Sequence, residues 1–388
     1  MSTFFGLAPD QLEKQGAWHT ASEIAQQPAV WRETGETVHS HRDEINAFLG
    51  PLLERPDLRV VLTGAGTSAF AGDILAPALS RRLGRRVDAV ATTDLVSNPK
   101  DYFAEDLPTL LVSFARSGNS PESVAATALA DQCLSECHHL VLTCDPDGQL
   151  YRDHSETGPS LVFLMPEKTN DQGFAMTSSF TSMLLAAWLI LGDVTPEGLT
   201  DLLADAGEQV LATRYEQARG LASSGYERVV YLGSGPLKGL AHESALKMLE
   251  LTAGEVVTAF DSPMGFRHGP KSILDGRTLA VVYVSSDPYT RRYDLDLLDE
   301  LGRSMRAEDI VAVATTPYAG SEAGDAWTLD GLESLDDPLL ALPFVLVAQL
   351  IGFYSSLALG RTPDNPFPEQ EVNRVVQGVT IHPLEDQR

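Results

Sequence analysis

The chain has 388 residues, too many for one ordinary domain and enough for two with sizeable cores. Its apolar fraction of 43% and charged fraction of 21% are those of a globular protein. A formal charge of −26 excludes a surface built to hold nucleic acid or an anionic membrane, so an anionic ligand would need a pocket prepared against that field.

Residues 1–49 read as a helical extension, broken at Gln26-Gln27-Pro28, that wraps a core or reaches a partner subunit. Two domains are expected after it, at 50–215 and 216–388. The division rests on an internal repeat. Arg59-Val60-Val61-Leu62-Thr63-Gly64-Ala65-Gly66 returns as Arg228-Val229-Val230-Tyr231-Leu232-Gly233-Ser234-Gly235, an offset of 169 from residue 59 to residue 228. Thr109-Leu110-Leu111-Val112 returns at the same offset as Thr278-Leu279-Ala280-Val281, and Leu140-Val141-Leu142-Thr143 answers Ile310-Val311-Ala312-Val313 one residue later. These β-branched runs do not alternate with polar residues, which is what a parallel sheet covered on both faces requires. Helical patterns separate them. After the first run, Thr67 or Ser68 can cap a helix whose Phe70, Ile74, Leu75, Ala78 and Leu79 share a face, and Gly84 ends it. Each half is expected to be an α/β, doubly wound parallel-sheet domain, a flavodoxin-like three-layer sandwich.

Two charge-free stretches, Phe174–Leu191 and Leu339–Leu359, have the length of membrane spans. Both carry hydroxyl residues, and each closes one half of the repeat, at Gly192 and Gly360; buried core helices are expected. Cys133, Cys137 and Cys144 are odd in number and follow no secretory pattern, so reduced thiols and a cytoplasmic location are expected. Cys133 and Cys137 stand one helical turn apart with His138 next, a hint of metal. Without a second ligand cluster, an apolar helix with small buried residues is the plainer reading.

Ligands of open parallel sheets collect at the carboxyl ends of the strands. Gly64-Ala65-Gly66-Thr67-Ser68 lets a backbone approach a ligand and offers two hydroxyls. Arg116-Ser117-Gly118-Asn119-Ser120-Pro121 follows the next strand pattern, with Ser120 as N-cap and Pro121 at the first helical position. Free N–H groups, hydroxyls and Arg116 would converge there as a phosphate site. The same residues also suit an ordinary capped turn. Gly64-x-Gly66-x-x-Ala69 with Asp88 matches a relaxed dinucleotide fingerprint as well, which would make the chain a nicotinamide oxidoreductase but leaves the serine loop without a role.

In the second half, a helix from Lys238 to Leu251 carries a core stripe of Leu237, Leu240, Ala241, Ala245, Met248 and Leu249. Glu243, Lys247 and Glu250 fall on another face at i, i+4 and i+7, either as a surface ion pair or as a catalytic set. The helix opens from the ligand-facing end of a strand, which places its first turns beside a pocket. His268 sits in an irregular loop of glycines and prolines, 264–271, of the kind that often carries function.

The motifs GAGTSAFAG (64–72), SFARSGNSPES (113–123), AMTSSFTSM (175–183), GSGPLKGLAHESALKMLELTAGEV (233–256) and MGFRHGPKS (264–272) resemble the sugar isomerase (SIS) superfamily. Nearly the whole chain, with EIAQQPAVW (23–31) and PDNP (363–366), resembles its tagatose-6-phosphate ketose/aldose isomerase branch, also described as galactosamine-6-phosphate deaminases. The resemblance implies two tandem SIS domains and a hexose or hexosamine 6-phosphate substrate. It implies phosphate binding by Ser117 and Ser120 with Thr67 and Ser68 nearby, joined by Gly66, Arg116, Asn119, Ser178 and Ser179. By analogy with the isomerase domain of glucosamine-6-phosphate synthase, Glu250 would move a proton between C1 and C2. His268 would assist ring opening, donated by a neighbouring subunit of a homodimer or larger homo-oligomer, and Glu243 and Lys247 would line the site. The chain departs from the synthase at Ser2, which replaces a nucleophilic cysteine, at Gln377, which replaces a lysine, and at Arg116, which replaces a glutamine. No metal or redox cofactor is expected. A non-catalytic sugar-phosphate-binding regulator is the alternative from another class, and Glu250 together with His268 argues for the enzyme.

Overall fold

The computed structural model describes residues 3–192, 197–318, 326–369, 372–376 and 378–385; Ser2 and Gln377 lie outside them. Ten strands stand in the described residues: β1 Arg59–Thr63, β2 Val87–Ala89, β3 Thr109–Ala115, β4 Cys137–Thr143, β5 Ser160–Leu164, β6 Arg228–Gly233, β7 Val257–Asp261, β8 Thr278–Tyr283, β9 Ile310–Ala314 and β10 Ala326–Thr328. They form two five-stranded sheets, ordered β2-β1-β3-β4-β5 and β7-β6-β8-β9-β10, and every pairing is parallel. The chain is thus an α/β protein with two tandem parallel sheets and their helices, and its N-terminal region is helical.

Two compact units contain these sheets. Val30–Asp171, Ser178–Pro196 and Glu369–Arg388 surround β1–β5, whereas Met1–Ala29, Gln172–Thr177 and Glu197–Pro368 surround β6–β10. In the β1–β5 unit, β3 is buried at all seven residues, as the unalternating sequence requires. Helix Thr67–Leu83 packs on helix Ser178–Leu191, every residue of which is buried. In the β6–β10 unit, helix Asp337–Ala358 is long and apolar enough to cross a membrane, yet its most apolar window is wholly buried against the unit's own helices, including Pro236–Leu251. Both charge-free stretches are therefore core helices.

The glycine turns are alike in the two units. Gly66 (φ 54°, ψ −127°) and Gly235 (φ 55°, ψ −124°) adopt a conformation that a side chain resists. A Cβ on Gly64 would lie 2.7 Å from the Ser68 backbone, and one on Gly233 would lie 2.3 Å from the Leu237 carbonyl oxygen. Gly66 is itself the N-cap of the first helix, so Thr67 and Ser68 lie inside the helix and do not cap it, contrary to the sequence reading.

The expected break at Pro28 is also absent: one helix runs Trp18–Ser40. Proline cannot donate to the carbonyl four residues back. Gln27 Nε2 donates to that carbonyl, Ile24 O, at 3.2 Å, and to Gln349 Oε1 at 2.6 Å, so the acceptor is satisfied within the helix. The start of this helix is closed from the far end of the chain. Asp364 accepts from the backbone N–H groups of His19 (3.0 Å) and Thr20 (2.7 Å).

Candidate functional site

With the order β2-β1-β3-β4-β5, the chain leaves β1 and β3 in opposite directions, and the crevice where it does so is where such sheets bind ligands. The glycine turn follows β1 and the serine loop follows β3, so this switch point carries both motifs. The register pairs Thr63 with Ser113 at the mouth. Both hydroxyl oxygens are buried without a hydrogen-bond partner among the described residues. Thr67 and Ser68 are buried at the helix start, and Ser117 and Ser120 are half-buried. Ser120 is the N-cap of helix Pro121–Cys133 and makes no side-chain cap bond. Asn119 is exposed and its Oδ1 accepts from Gln149 N at 2.9 Å, while the Asn119 N–H donates to Ser117 Oγ at 3.3 Å. Gly118 has φ 64°, which lets the loop turn tightly against residues 148–150. Arg116 is only 8% exposed, and its guanidinium donates to the Arg374 carbonyl at 2.9 Å.

Ser178 and Ser179 are engaged differently from the sequence expectation. Both are fully buried, and the Asp171 carboxylate accepts from Ser178 N (3.2 Å), Ser179 N (2.9 Å) and Ser179 Oγ (2.6 Å). The N-terminus of helix Ser178–Leu191 is thereby filled by an internal anion. Arg374 in turn donates to the Asp171 carbonyl. Asp171 and Arg374 had no local signal in the sequence, because their partners are distant along the chain.

The β6–β10 unit has the equivalent switch point between β6 and β8, and there carboxylates occupy the serines. Asp294 accepts from Ser234 Oγ and from Ser285 N (2.9 Å). Asp337 accepts from Ser285 Oγ (2.6 Å), Ser286 N (2.9 Å) and Ser286 Oγ (3.0 Å). Burial raises the carboxyl of Asp294 to about 6 and also raises that of Asp337. A phosphate would compete with two carboxylates for the same donors, so this second mouth is a poor anion site.

Helix Pro236–Leu251 buries Leu237, Leu240, Ala241, Ala245 and Met248 as expected, but it also buries charged residues. Glu243 and Lys247 are completely buried, Glu250 is 23% exposed at its side chain, and Leu249, placed in the core stripe by its spacing, is 41% exposed. Lys247 Nζ donates to Glu250 Oε2 and lies 3.5 Å from Glu243 Oε1. The three charges do share a face, as their spacing implies. Glu250 stands in the last turn, about 20 Å from the glycine turn at a rise of ~1.5 Å per residue. It therefore does not belong to the strand-end mouth of its own sheet, which corrects the expectation drawn from the start of the helix. His242 precedes Glu243 and stacks on Phe260 with ring centroids 3.8 Å apart. Burial, and secondarily Lys238, lower its imidazole to about 4, so it is neutral at pH 7.

His268 is exposed between the short helix Pro263–Phe266 and the turn at Pro270–Ile273, with no side-chain hydrogen bond among the described residues. Its loop is tied by hydrogen bonds: Ser262 Oγ accepts from Gly265 N at 3.0 Å, and Glu300 accepts from Arg267 Nε at 2.7 Å and from Lys271 Nζ. The carboxylate required by the dinucleotide reading is spent elsewhere, since Asp88 is bridged by Arg59 (2.9 Å) and Arg86 (2.6 Å). Cys133 ends a helix and Cys137 opens β4, so the two do not share a helix face as their spacing suggested.

The SIS domain family matches residues 52–191. D-galactosamine-6-phosphate deaminase AgaS of Shewanella sp. (strain ANA-3) is 45% identical, covering 97% of this chain and 95% of the relative. The Escherichia coli protein of the same name is 47% identical, covering 95% and 96%. The crystal structure of tagatose-6-phosphate ketose/aldose isomerase from Escherichia coli superposes with a TM-score of 0.88 at 44% identity, covering 95% of this chain and 97% of that one. The chain belongs to the AgaS family of SIS-domain proteins, whose Shewanella and Escherichia coli members bear the name D-galactosamine-6-phosphate deaminase.

Proposed function

We propose that this chain deaminates galactosamine 6-phosphate to tagatose 6-phosphate and ammonia. The serine loop at Arg116–Ser120 and the hydroxyls at Gly66–Ser68 hold the phosphate in this reading, and Glu250 carries the proton. In the open-chain sugar the carbonyl acidifies the C2 proton. The Glu250 carboxylate removes it and returns it to C1 through an enolamine, leaving an imine at C2. Water adds to the imine, and ammonia leaves as C2 becomes the ketone. Lys247 fixes the orientation of the Glu250 carboxylate and offsets the buried charge of Glu243. His268 serves the ring oxygen, and its exposure in a single chain supports a role toward a neighbouring subunit of a homo-oligomer. A cytoplasmic location, with no nucleic-acid or membrane partner, belongs to the same reading.

The observation that carries the proposal is the Glu243–Lys247–Glu250 set, of which Glu250 alone reaches solvent. Burying two such charges is costly unless they are paired for a purpose. Aldose–ketose isomerisation by the same C1/C2 transfer is the second reading, supported by the name of the Escherichia coli structure. Release of ammonia from galactosamine 6-phosphate, with glucosamine 6-phosphate in parallel, tests the proposal. Glu250→Gln is expected to cut turnover by at least ~100-fold with an unchanged circular dichroism spectrum. Near-normal turnover in that variant removes Glu250 from the chemistry. Ketose formation without ammonia release selects the isomerase reading.

A further inference from the structure

The amino end of β4 gathers metal-binding groups that the proposed chemistry does not use. A strand turns successive side chains to opposite faces, so Cys137 and His139 share one face and His138 takes the other, where its Nε2 lies 3.0 Å from Glu136. Helix Pro121–Cys133 lays Asp131 against the first face, with Asp131 Oδ1 2.8 Å from His139 Nε2. One ligand atom from each of Asp131, Cys137 and His139 lies within 4.8 Å of the other two. His139 is 1% exposed, yet its Nδ1 has no hydrogen-bond partner among the described residues. That nitrogen is not the one facing Asp131, so with an ion on Nε2 it would carry the ring proton. The ring centroid of His154, on helix Gln149–His154, lies 4.6 Å from that of His139, and a cavity of about 370 Å³ borders Asp131, His139, Asp153 and His154 but not Cys137.

We propose that Asp131, Cys137 and His139 form a binding site for a soft or borderline divalent cation of the zinc and cobalt class. A thiolate, an imidazole and a carboxylate are the donors that favour these ions over magnesium or calcium. Tetrahedral ligands at about 2.0–2.3 Å from the ion stand roughly 3.3–3.8 Å apart, so rotations of the side chains by about 1 Å close the present spread. On binding, the Cys137 thiol gives its proton to solvent and the imidazole enters neutral. Asp131, more than half exposed at its side chain, leaves a fourth position open to water. The site lies at the amino ends of the strands, whereas the serine loop follows their carboxyl ends, so the two can be tested separately.

The test uses the reduced, untagged full-length chain, dialysed against a chelator and titrated with Co²⁺. A single Co²⁺ per chain is expected, with a thiolate-to-cobalt charge-transfer band in the near ultraviolet and the visible absorption of a tetrahedral ion, both displaced by Zn²⁺. Cys137→Ser should abolish the charge-transfer band, Cys133→Ser should keep it, and Asp131→Asn should weaken binding by at least ~10-fold. Asp131 is exposed, so its variant remains informative if Cys137→Ser does not fold. Absence of the band at millimolar Co²⁺, its survival in Cys137→Ser, or unchanged affinity in Asp131→Asn overturns the site.

Discussion

Lys247 is a fully buried ammonium with one carboxylate, Glu243, equally buried at 3.5 Å and another, Glu250, at the rim. Removing the ammonium deprives the Glu243 carboxylate of a cation 3.5 Å away in a region that water does not reach. Lys247→Met is therefore expected to lower stability by about 3–5 kcal/mol in urea denaturation, although methionine fills much of the same volume. Adding Glu243→Gln removes the stranded charge and should recover a substantial part of that loss; a strictly additive double variant would show that the two side chains do not interact. The spacing of Glu243, Lys247 and Glu250 was legible from the sequence as a shared face. Whether that face looked to solvent or inward was not, because Leu249 and the charged residues compete for the core. The bulk packed around the helix decides the outcome, and that bulk comes from Asp337–Ala358, far along the chain.

At the scale of elements, local signals read well wherever the partner groups were also local. The parallel strands followed from unalternating Val/Leu runs, and Gly84 closes its helix in a left-handed conformation as expected. The misreadings have different causes. Pro28 sits inside a helix because Gln27 supplies the lost donor, and Thr67 and Ser68 do not cap because Gly66 reaches the required backbone angles first. Helix Trp18–Ser40 is capped by Asp364, a partner no sequence window could reveal. This gives the PDNP segment a physical role: a carboxylate satisfying two orphan N–H groups at a helix start. Asp364→Ala is expected to cost about 0.5–2 kcal/mol, read as a lowered thermal midpoint, with turnover per folded molecule unchanged. A matching fall in turnover at temperatures well below the midpoint would show that the segment acts on the chemistry itself.

At the scale of the whole molecule, two sheets of identical strand order and near-identical glycine turns carry different chemistry, and the difference lies in what occupies the serines at the switch point of each. Beside β3 the hydroxyls of Ser117 and Ser120 remain half-buried, whereas beside β8 the carboxylates of Asp294 and Asp337 take the donors of Ser234, Ser285 and Ser286. That occupation leaves a pH signature. Burial raises the Asp294 carboxyl from 3.8 to about 6, with Asp337 adding to the shift and the bonds from Ser234 and Ser285 and the charge of Arg291 opposing it. The folded chain thus binds this proton more tightly than the unfolded chain. The contribution of Asp294 to stability is greatest below pH 4 and is lost as pH rises through 6. The surface carboxylates of Glu136, Asp275 and Glu300 are shifted downward by their hydrogen bonds and cations, so they act in the opposite sense, weakening the fold as pH falls. Those groups are the same in Asp294→Asn and cancel in the comparison. Between pH 4 and pH 7 the stability of the parent chain relative to Asp294→Asn is expected to fall by an amount on the order of 3 kcal/mol, read from denaturant midpoints at the two pH values. A difference that stays constant across this range would mean that Asp294 titrates alike in the folded and unfolded chains, and that the second mouth holds an ordinary carboxylate.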